Sequence, residues 1–199
     1  MAGDRPLKES PSQTAGPYLH IGLMPEICGI DGIYRADPGA VMVNDDTLGE
    51  RITVQGRIFD GNGDDVKDAV IEAWQADHAG RYQSGSEPSD PNFVGWGRQA
   101  VDPESGFITF QTIKPGRVRF DATRFQAPHI SLFIIARGIN IGLNTRLYFP
   151  ESEENATDPV LALIDDAKRR DTLIAQKDGD LYTFNIHLQG EHETVFFDI

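Results

Sequence analysis

Apolar and polar positions alternate along most of this chain in short runs. In residues 51–59, Ile52, Val54 and Ile58 fall on one face while Thr53, Gln55 and Arg57 fall on the other. That period of two is what a half-buried strand requires, because successive side chains of a strand point to opposite faces. The alternation returns in residues 69–76, where Val70, Glu72 and Trp74 oppose Ile71 and Ala73. It is most regular in residues 182–189, where Tyr182, Phe184, Ile186 and Leu188 alternate with Thr183, Asn185, His187 and Gln189. Residues 107–113, 145–149 and 194–199 read as further strands, and the nearly unbroken apolar run HISLFIIA at 129–136 predicts a strand covered on both faces. DGNGD at 60–64 predicts a hairpin turn, with residues 69–76 as the returning strand, since Asn and Gly tolerate positive φ. One segment departs from this period. Asp158-Pro159 followed by VLALIDDAKRR predicts a helix capped by Asp158 with Pro159 in its first turn, and a further helical turn is expected through Leu173 and Ile174. Residues 28–49 lack periodicity and predict loop or short helix. The expected fold class is all-β: a β-sandwich with short helical additions, one domain over residues 1–199 with residues 1–50 as an arm and loop region.

Composition adds constraints. With 199 residues, 39% hydrophobic and 25% charged, the chain is long enough to bury its own core. Eighteen basic against thirty-one acidic residues give a net charge of −13, which argues against non-specific nucleic-acid binding and against an electrostatic membrane anchor. No apolar run reaches the roughly 18 residues of a membrane span, and the first ten residues carry no apolar run of the kind a secretory signal needs. The single cysteine, Cys28, excludes an internal disulfide or a multi-cysteine metal site. A cytoplasmic chain, complete as written, is the expectation. The charge is also uneven. Lys114, Arg117, Arg119, Arg124 and Arg137 form a basic island with one acid, Asp121, whereas six acids and no base lie in residues 151–166. A basic island on an acidic chain predicts an anionic ligand or an acidic partner surface.

Isolated motifs carry little chemistry. DGNGDD at 60–65 departs from a calcium loop at its sixth position, Asp65, and at its twelfth, Ile71. His187 and His192, five apart with no third ligand nearby, read as surface histidines, and His129, at the head of an apolar strand, reads as a satisfied core group. No serine sits in a GxSxG elbow, and Cys28 has no basic or helical context to activate it.

Taken in order, PSQTAGPYLHIG (11–22), GRIFDGNG (56–63), IEAWQADHAGRY (71–82), DPNFVGWGR (90–98), TIKPG (112–116), APHISLFIIARGINIGLNTRLYF (127–149), RRDTLIA (169–175) and GEHETVFFDI (190–199) resemble the intradiol ring-cleaving dioxygenases over nearly the whole chain. The resemblance implies that family's β-sandwich. It also implies a non-haem Fe(3+) held by two tyrosinates and two histidines, to which a catecholate binds before O2 inserts between its hydroxyl-bearing carbons. The ligand pattern is broken here. KPG is followed by Arg117-Val118 where the iron-bearing pattern has a tyrosine, His129-Ile130-Ser131 stands where two histidines flank one residue, Tyr82 belongs to the GRY turn instead of the second tyrosine's segment, and residues 84–89 offer no phenol. The resemblance therefore implies a chain with no metal ligands of its own, paired with a homologous iron-bearing beta chain in a large hetero-oligomer. By the same resemblance, residues 1–50 contact that partner. Thr14, Gly16, Pro17 and Tyr18 wall its cavity, with Tyr18 alternatively an anchor onto the partner. Arg137 holds the carboxylate of a substrate such as protocatechuate. Two other readings remain open: a transthyretin-like binding module for a small aromatic acid, and a homo-oligomer holding another metal through His129 with His187 or His192.

Overall fold

The structure is a computed structural model that describes residues 13–16, 18–85, 87–140 and 142–198. In chain order its strands are β1 (Arg51–Gly56), β2 (Ile58–Phe59), β3 (Val70–Trp74), β4 (Trp96–Ala100), β5 (Ile108–Ile113), β6 (Val118–Arg119), β7 (Phe125–Gln126), β8 (His129–Ile135), β9 (Leu143–Tyr148), β10 (Gln176–Asp178), β11 (Leu181–Thr183) and β12 (Ile186–His187). One sheet has the order β10-β11-β1-β5, the other β4-β3-β8-β9, and two short ribbons pair β12 with β2 and β6 with β7. Ile52, Val54, Phe110, Tyr182 and Phe184 of the first sheet share one buried cluster with Ile71, Ala73, Ile130, Leu132, Ile134 and Leu147 of the second. The two sheets therefore face each other across a single core, as the alternation predicts. Buried Gln75, just after β3, ties them: its amide donates to the Ile113 carbonyl at 2.9 Å and accepts from Thr112 Oγ1 at 2.9 Å.

Several expectations change in the folded chain. The 60–65 turn closes locally, with an antiparallel bridge between Phe59 and Asp65, but β3 does not return to β1. The two strands lie in opposite sheets, so the connection crosses the sandwich. The run from 182 to 189 keeps its alternating burial but divides into β11 and β12, running parallel to β1 and β2 past Gly56. A Cβ on Gly56 would lie 1.9 Å from the Phe184 carbonyl oxygen, so this close approach requires glycine. β8 buries Ile130, Leu132 and Ile134 while Ser131, Phe133 and Ile135 stay half-buried, so its outer face is only partly covered.

The predicted helix after Asp158 is broken as well. A 3-10 turn at Leu161–Leu163 gives way to extended Ile164, and a separate helix, Ala167–Asp171, is capped by Asp166. The side chain of Asp166 accepts from the N–H of Lys168 and Arg169, so the DD pair supplies a second start where a single helix was expected. The helical turn expected through Leu173 and Ile174 is present, their N–H groups donating to the Arg170 and Asp171 carbonyls at 3.0 and 3.1 Å, and Ile174 then forms a parallel bridge to Tyr148; the C-terminal residues make one isolated bridge, Phe197 to Asn144, rather than a strand. The N-terminal segment forms a short helix, Leu19–Leu23, and a 3-10 turn, Pro25–Cys28. Met24 is buried with Val70 and Ala100, which places this segment on the outer face of the second sheet. No helix among the described residues is long and apolar enough to cross a membrane.

Candidate functional site

Two loops meet at one end of the second sheet, and a buried carboxylate holds them. Asp77 accepts from the N–H groups of Ala79 (2.9 Å), Arg81 (3.0 Å) and Asp90 (2.9 Å). Its carbonyl accepts from Gly80 (3.0 Å) and Gly116 (2.9 Å). Gly80 has φ +79°, and a Cβ there would fall 1.9 Å from the Arg117 carbonyl oxygen; one on Gly116 would fall 2.6 Å from the Gly80 nitrogen. The AGRY and KPGR segments can pack backbone on backbone only because both contact residues lack side chains. This contact brings Arg81 and Tyr82 together with Arg117, Val118, Arg119 and Phe125 around a pocket of about 320 Å³.

Beneath Tyr82 lies a polar cluster on the outer face of β8 and β9. The register pairs His129 with Tyr148 and Ser131 with Arg146. His129 Nδ1 is 2.8 Å from the Ala127 carbonyl; that oxygen can only accept, so Nδ1 carries the proton and Nε2 turns its lone pair to Tyr82 Oη at 3.5 Å. Burial, reinforced by the Arg146 guanidinium, brings the His129 imidazole down to about 4. Burial pushes the Tyr82 phenol up, and burial with the Asp158 carboxylate pushes the Tyr148 phenol up. Arg146 donates to Gln126 at 2.7 Å and to Tyr148 Oη at 3.4 Å, while Asp158 accepts from the N–H groups of Ala127 (2.7 Å), Val160 (2.8 Å) and Leu161 (2.8 Å).

This donor set does not fit a ferric ion. Such an ion needs several anionic oxygen donors together with imidazoles, and the one carboxylate at this cluster, Asp158, is already taken by three backbone N–H groups. One imidazole faces the cluster, Ser131 lies across from Arg146, and a guanidinium already supplies the positive charge. Among the described residues no group of three or more His, Cys, Asp and Glu is arranged to hold a metal ion.

Thr14 Oγ1 accepts from the Gly138 N–H at 2.8 Å, so the N-terminal segment reaches the turn that carries Arg137. Arg137 lies on an open cleft of about 730 Å³ and pairs with Asp68 at 2.9 Å. Gly16 has φ +73° with open space around it, Tyr18 is 76% exposed, and Pro17 lies outside the described residues. His187 stacks on Phe59 and approaches His192 at 6.0 Å between ring centroids, on the β12–β2 ribbon, whereas His129 belongs to the Tyr82 cluster. Asp65 pairs through one oxygen with Arg57 at 2.7 Å, and Asp60 accepts from the N–H groups of Asn62 and Asp64, so both carboxylates are engaged within the chain. Sequence reasoning set Tyr82 aside as a turn residue, yet its hydroxyl faces His129, and it missed Tyr148, Arg146 and the inward role of Asp158. Their signal was weak: Tyr148 and Arg146 sit in an ordinary strand pattern, and Asp158 presents itself as a helix cap.

Two facing antiparallel-rich sheets, with a tyrosine–histidine cluster outside the second, define the sandwich of the intradiol dioxygenases. Residues 34–190 match the family model described as Dioxygenase, and the chain belongs to the intradiol dioxygenase family. It is 46% identical over 197 residues, 96% of this chain and 97% of that protein, to the protocatechuate 3,4-dioxygenase alpha chain of Pseudomonas putida. It is 38% identical over 167 residues, 76% of this chain and 69% of that protein, to the protocatechuate 3,4-dioxygenase beta chain of Burkholderia cepacia. Among solved structures, the dioxygenase domain of a carbohydrate-binding fusion from Streptomyces sp. SirexAA-E shares the fold with a TM-score of 0.57 at 22% identity, over 94% of this chain and 100% of that one.

Proposed function

We propose that this chain is the alpha subunit of a protocatechuate 3,4-dioxygenase, which cleaves protocatechuate with O2 between its hydroxyl-bearing carbons to give 3-carboxy-cis,cis-muconate. The observation that carries the proposal is end-to-end similarity to an alpha chain, with 96% of this chain aligned. The misfit of the His129 cluster to a ferric ion agrees with it. The Fe(3+) belongs to a homologous beta chain, and the two assemble into a large hetero-oligomer in the cytoplasm. The surface for that assembly is the N-terminal region, where Ile21, Ile27, Ile30, Ile33, Tyr34 and Val41 are exposed within a short stretch. A concentration of exposed apolar side chains of this kind supports an interface there.

In this reading Arg137 binds the substrate carboxylate, with Thr14, Gly16, Pro17 and Tyr18 walling the cavity. Thr14 supports the reading by holding the Gly138 backbone next to Arg137. Asp68 competes for the same guanidinium at 2.9 Å. Arg137→Ala in the complex is expected to raise KM roughly 10- to 150-fold, the equivalent of about 1.5–3 kcal/mol for a charged hydrogen bond, while Asp68→Asn lowers KM. Equal KM values in the three proteins would remove Arg137 from the site. The test of the whole proposal is expression of this chain alone and with its beta chain. Iron content and turnover are expected only in the co-expressed complex; iron and turnover in the chain alone would overturn it, and stoichiometric binding of an aromatic acid without a partner would favour the binding-module reading.

A further inference from the structure

The basic island read from the sequence separates in the folded chain into bases with a carboxylate and bases without one. Lys114 pairs with Glu151 at 2.6 Å, Arg124 with Asp121 at 2.6 Å and Arg137 with Asp68 at 2.9 Å. Arg117 and Arg119 form no salt bridge among the described residues. Both instead lie on one ring, that of Phe125, at 4.3 and 5.1 Å from its centroid. Two guanidinium groups gathered on one aromatic ring repel each other, and the π face offsets only part of that repulsion. An anion bound to both groups relieves it.

The ring and both arginines line the same pocket of about 320 Å³, a size at the lower end of small-molecule sites. Arg81 adds a third guanidinium, and its pairing with Glu87 is loose, at 3.5 Å between exposed groups. Tyr82, its phenol proton directed to His129 Nε2, and the exposed Glu87 also line the pocket, and Gly80 and Gly85 leave backbone accessible. The arrangement is rigid at its base, because Asp77 ties the Arg81 loop to Gly116.

We infer that this pocket binds a small organic carboxylate, gripped by Arg117 and Arg119 against the Phe125 ring. Planar guanidinium groups recognise carboxylates in a bidentate manner. The inference rests on the proposed function for its choice of ligand, since protocatechuate and its ring-opened product both carry carboxylates, one and three respectively.

The experiment is calorimetric titration of the assembled, iron-loaded complex with protocatechuate in the absence of O2, repeated with the ring-opened tricarboxylate and with sulfate. Two equivalents of an organic acid per pair of chains are expected in the wild type. The doubly substituted Arg117→Ala, Arg119→Ala complex is expected to bind one, with affinity for the other at least tenfold weaker. A tighter second equivalent for the tricarboxylate identifies product as the ligand, and a tighter one for protocatechuate identifies substrate. One equivalent in the wild type, two in the variant, or sulfate binding as tightly as either acid would overturn the inference. The visible absorption change of the ferric centre reports separately on the proposed function and shows that the variant is folded and assembled.

Discussion

His129 shows how much one residue's chemistry depends on its surroundings. Its imidazole is 1% exposed, holds its proton on Nδ1 against the Ala127 carbonyl, and is brought down by burial to about 4. In the unfolded chain the same group titrates near 6.5. Above pH 6.5 it is neutral in both states and its contribution to stability is complete. Between pH 6.5 and about 4 the unfolded chain binds a proton that the folded chain refuses, so stability falls as the pH drops. The loss across that window is about 3 kcal/mol. Urea unfolding followed from pH 7.5 to pH 4 is expected to show this slope, and His129→Gln is expected to flatten it. At lower pH a second group takes over. Burial works against ionisation of Glu151, yet hydrogen bonds from Lys114, Tyr182 and Lys177 bring its carboxyl down to about 2, so that contribution is lost as the pH falls below the ordinary glutamate range. The sequence shows His129 as a lone histidine on an apolar strand, and that reading holds. It could not show Arg146 and Tyr148 beside it, because the β8–β9 register that brings them there is a long-range pairing.

At the scale of elements, the strands were legible because each carries its own alternation. Their partners were not, since pairing depends on which faces bury together. β1 and β3 look like a hairpin around DGNGD yet belong to opposite sheets. The helix expected after Asp158 fails for a local reason made tertiary. Asp158 caps Val160 and Leu161 but also accepts from Ala127 across the cluster, and Asp166 begins a new helix. The loops that shape the anion pocket depend on a contact the sequence marks only by two glycines. Gly80→Ala places a methyl group 1.9 Å from the Arg117 carbonyl at a φ of +79°. The expected destabilisation is about 2–4 kcal/mol, combining overpacking with the left-handed backbone, and is readable as a lowered thermal midpoint. Gly63, also at positive φ but with open space around it, gives the control: its alanine variant is expected to suffer the backbone penalty alone.

For the whole molecule, an acidic chain with net charge −13 presents an apolar N-terminal surface. Ile33 is 60% exposed and Tyr34 47%, and neither belongs to the core clusters. Burying such side chains contributes about 1.5–3 kcal/mol each. Ile33→Asp with Tyr34→Asp is therefore expected to weaken pairing with the beta chain by at least about tenfold in analytical ultracentrifugation while leaving the isolated chain's melting unchanged. What the sequence determined by itself was the local: the strand period, the glycine turns, the broken iron-ligand pattern and the concentration of bases between residues 114 and 137. Each of these is written in neighbouring positions. The tertiary structure alone decided which bases found carboxylates, leaving Arg117 and Arg119 on Phe125, and which side chains surround His129. Those outcomes depend on segments far apart in the chain meeting at set distances, and charge pairing and desolvation take their values only once the segments have met.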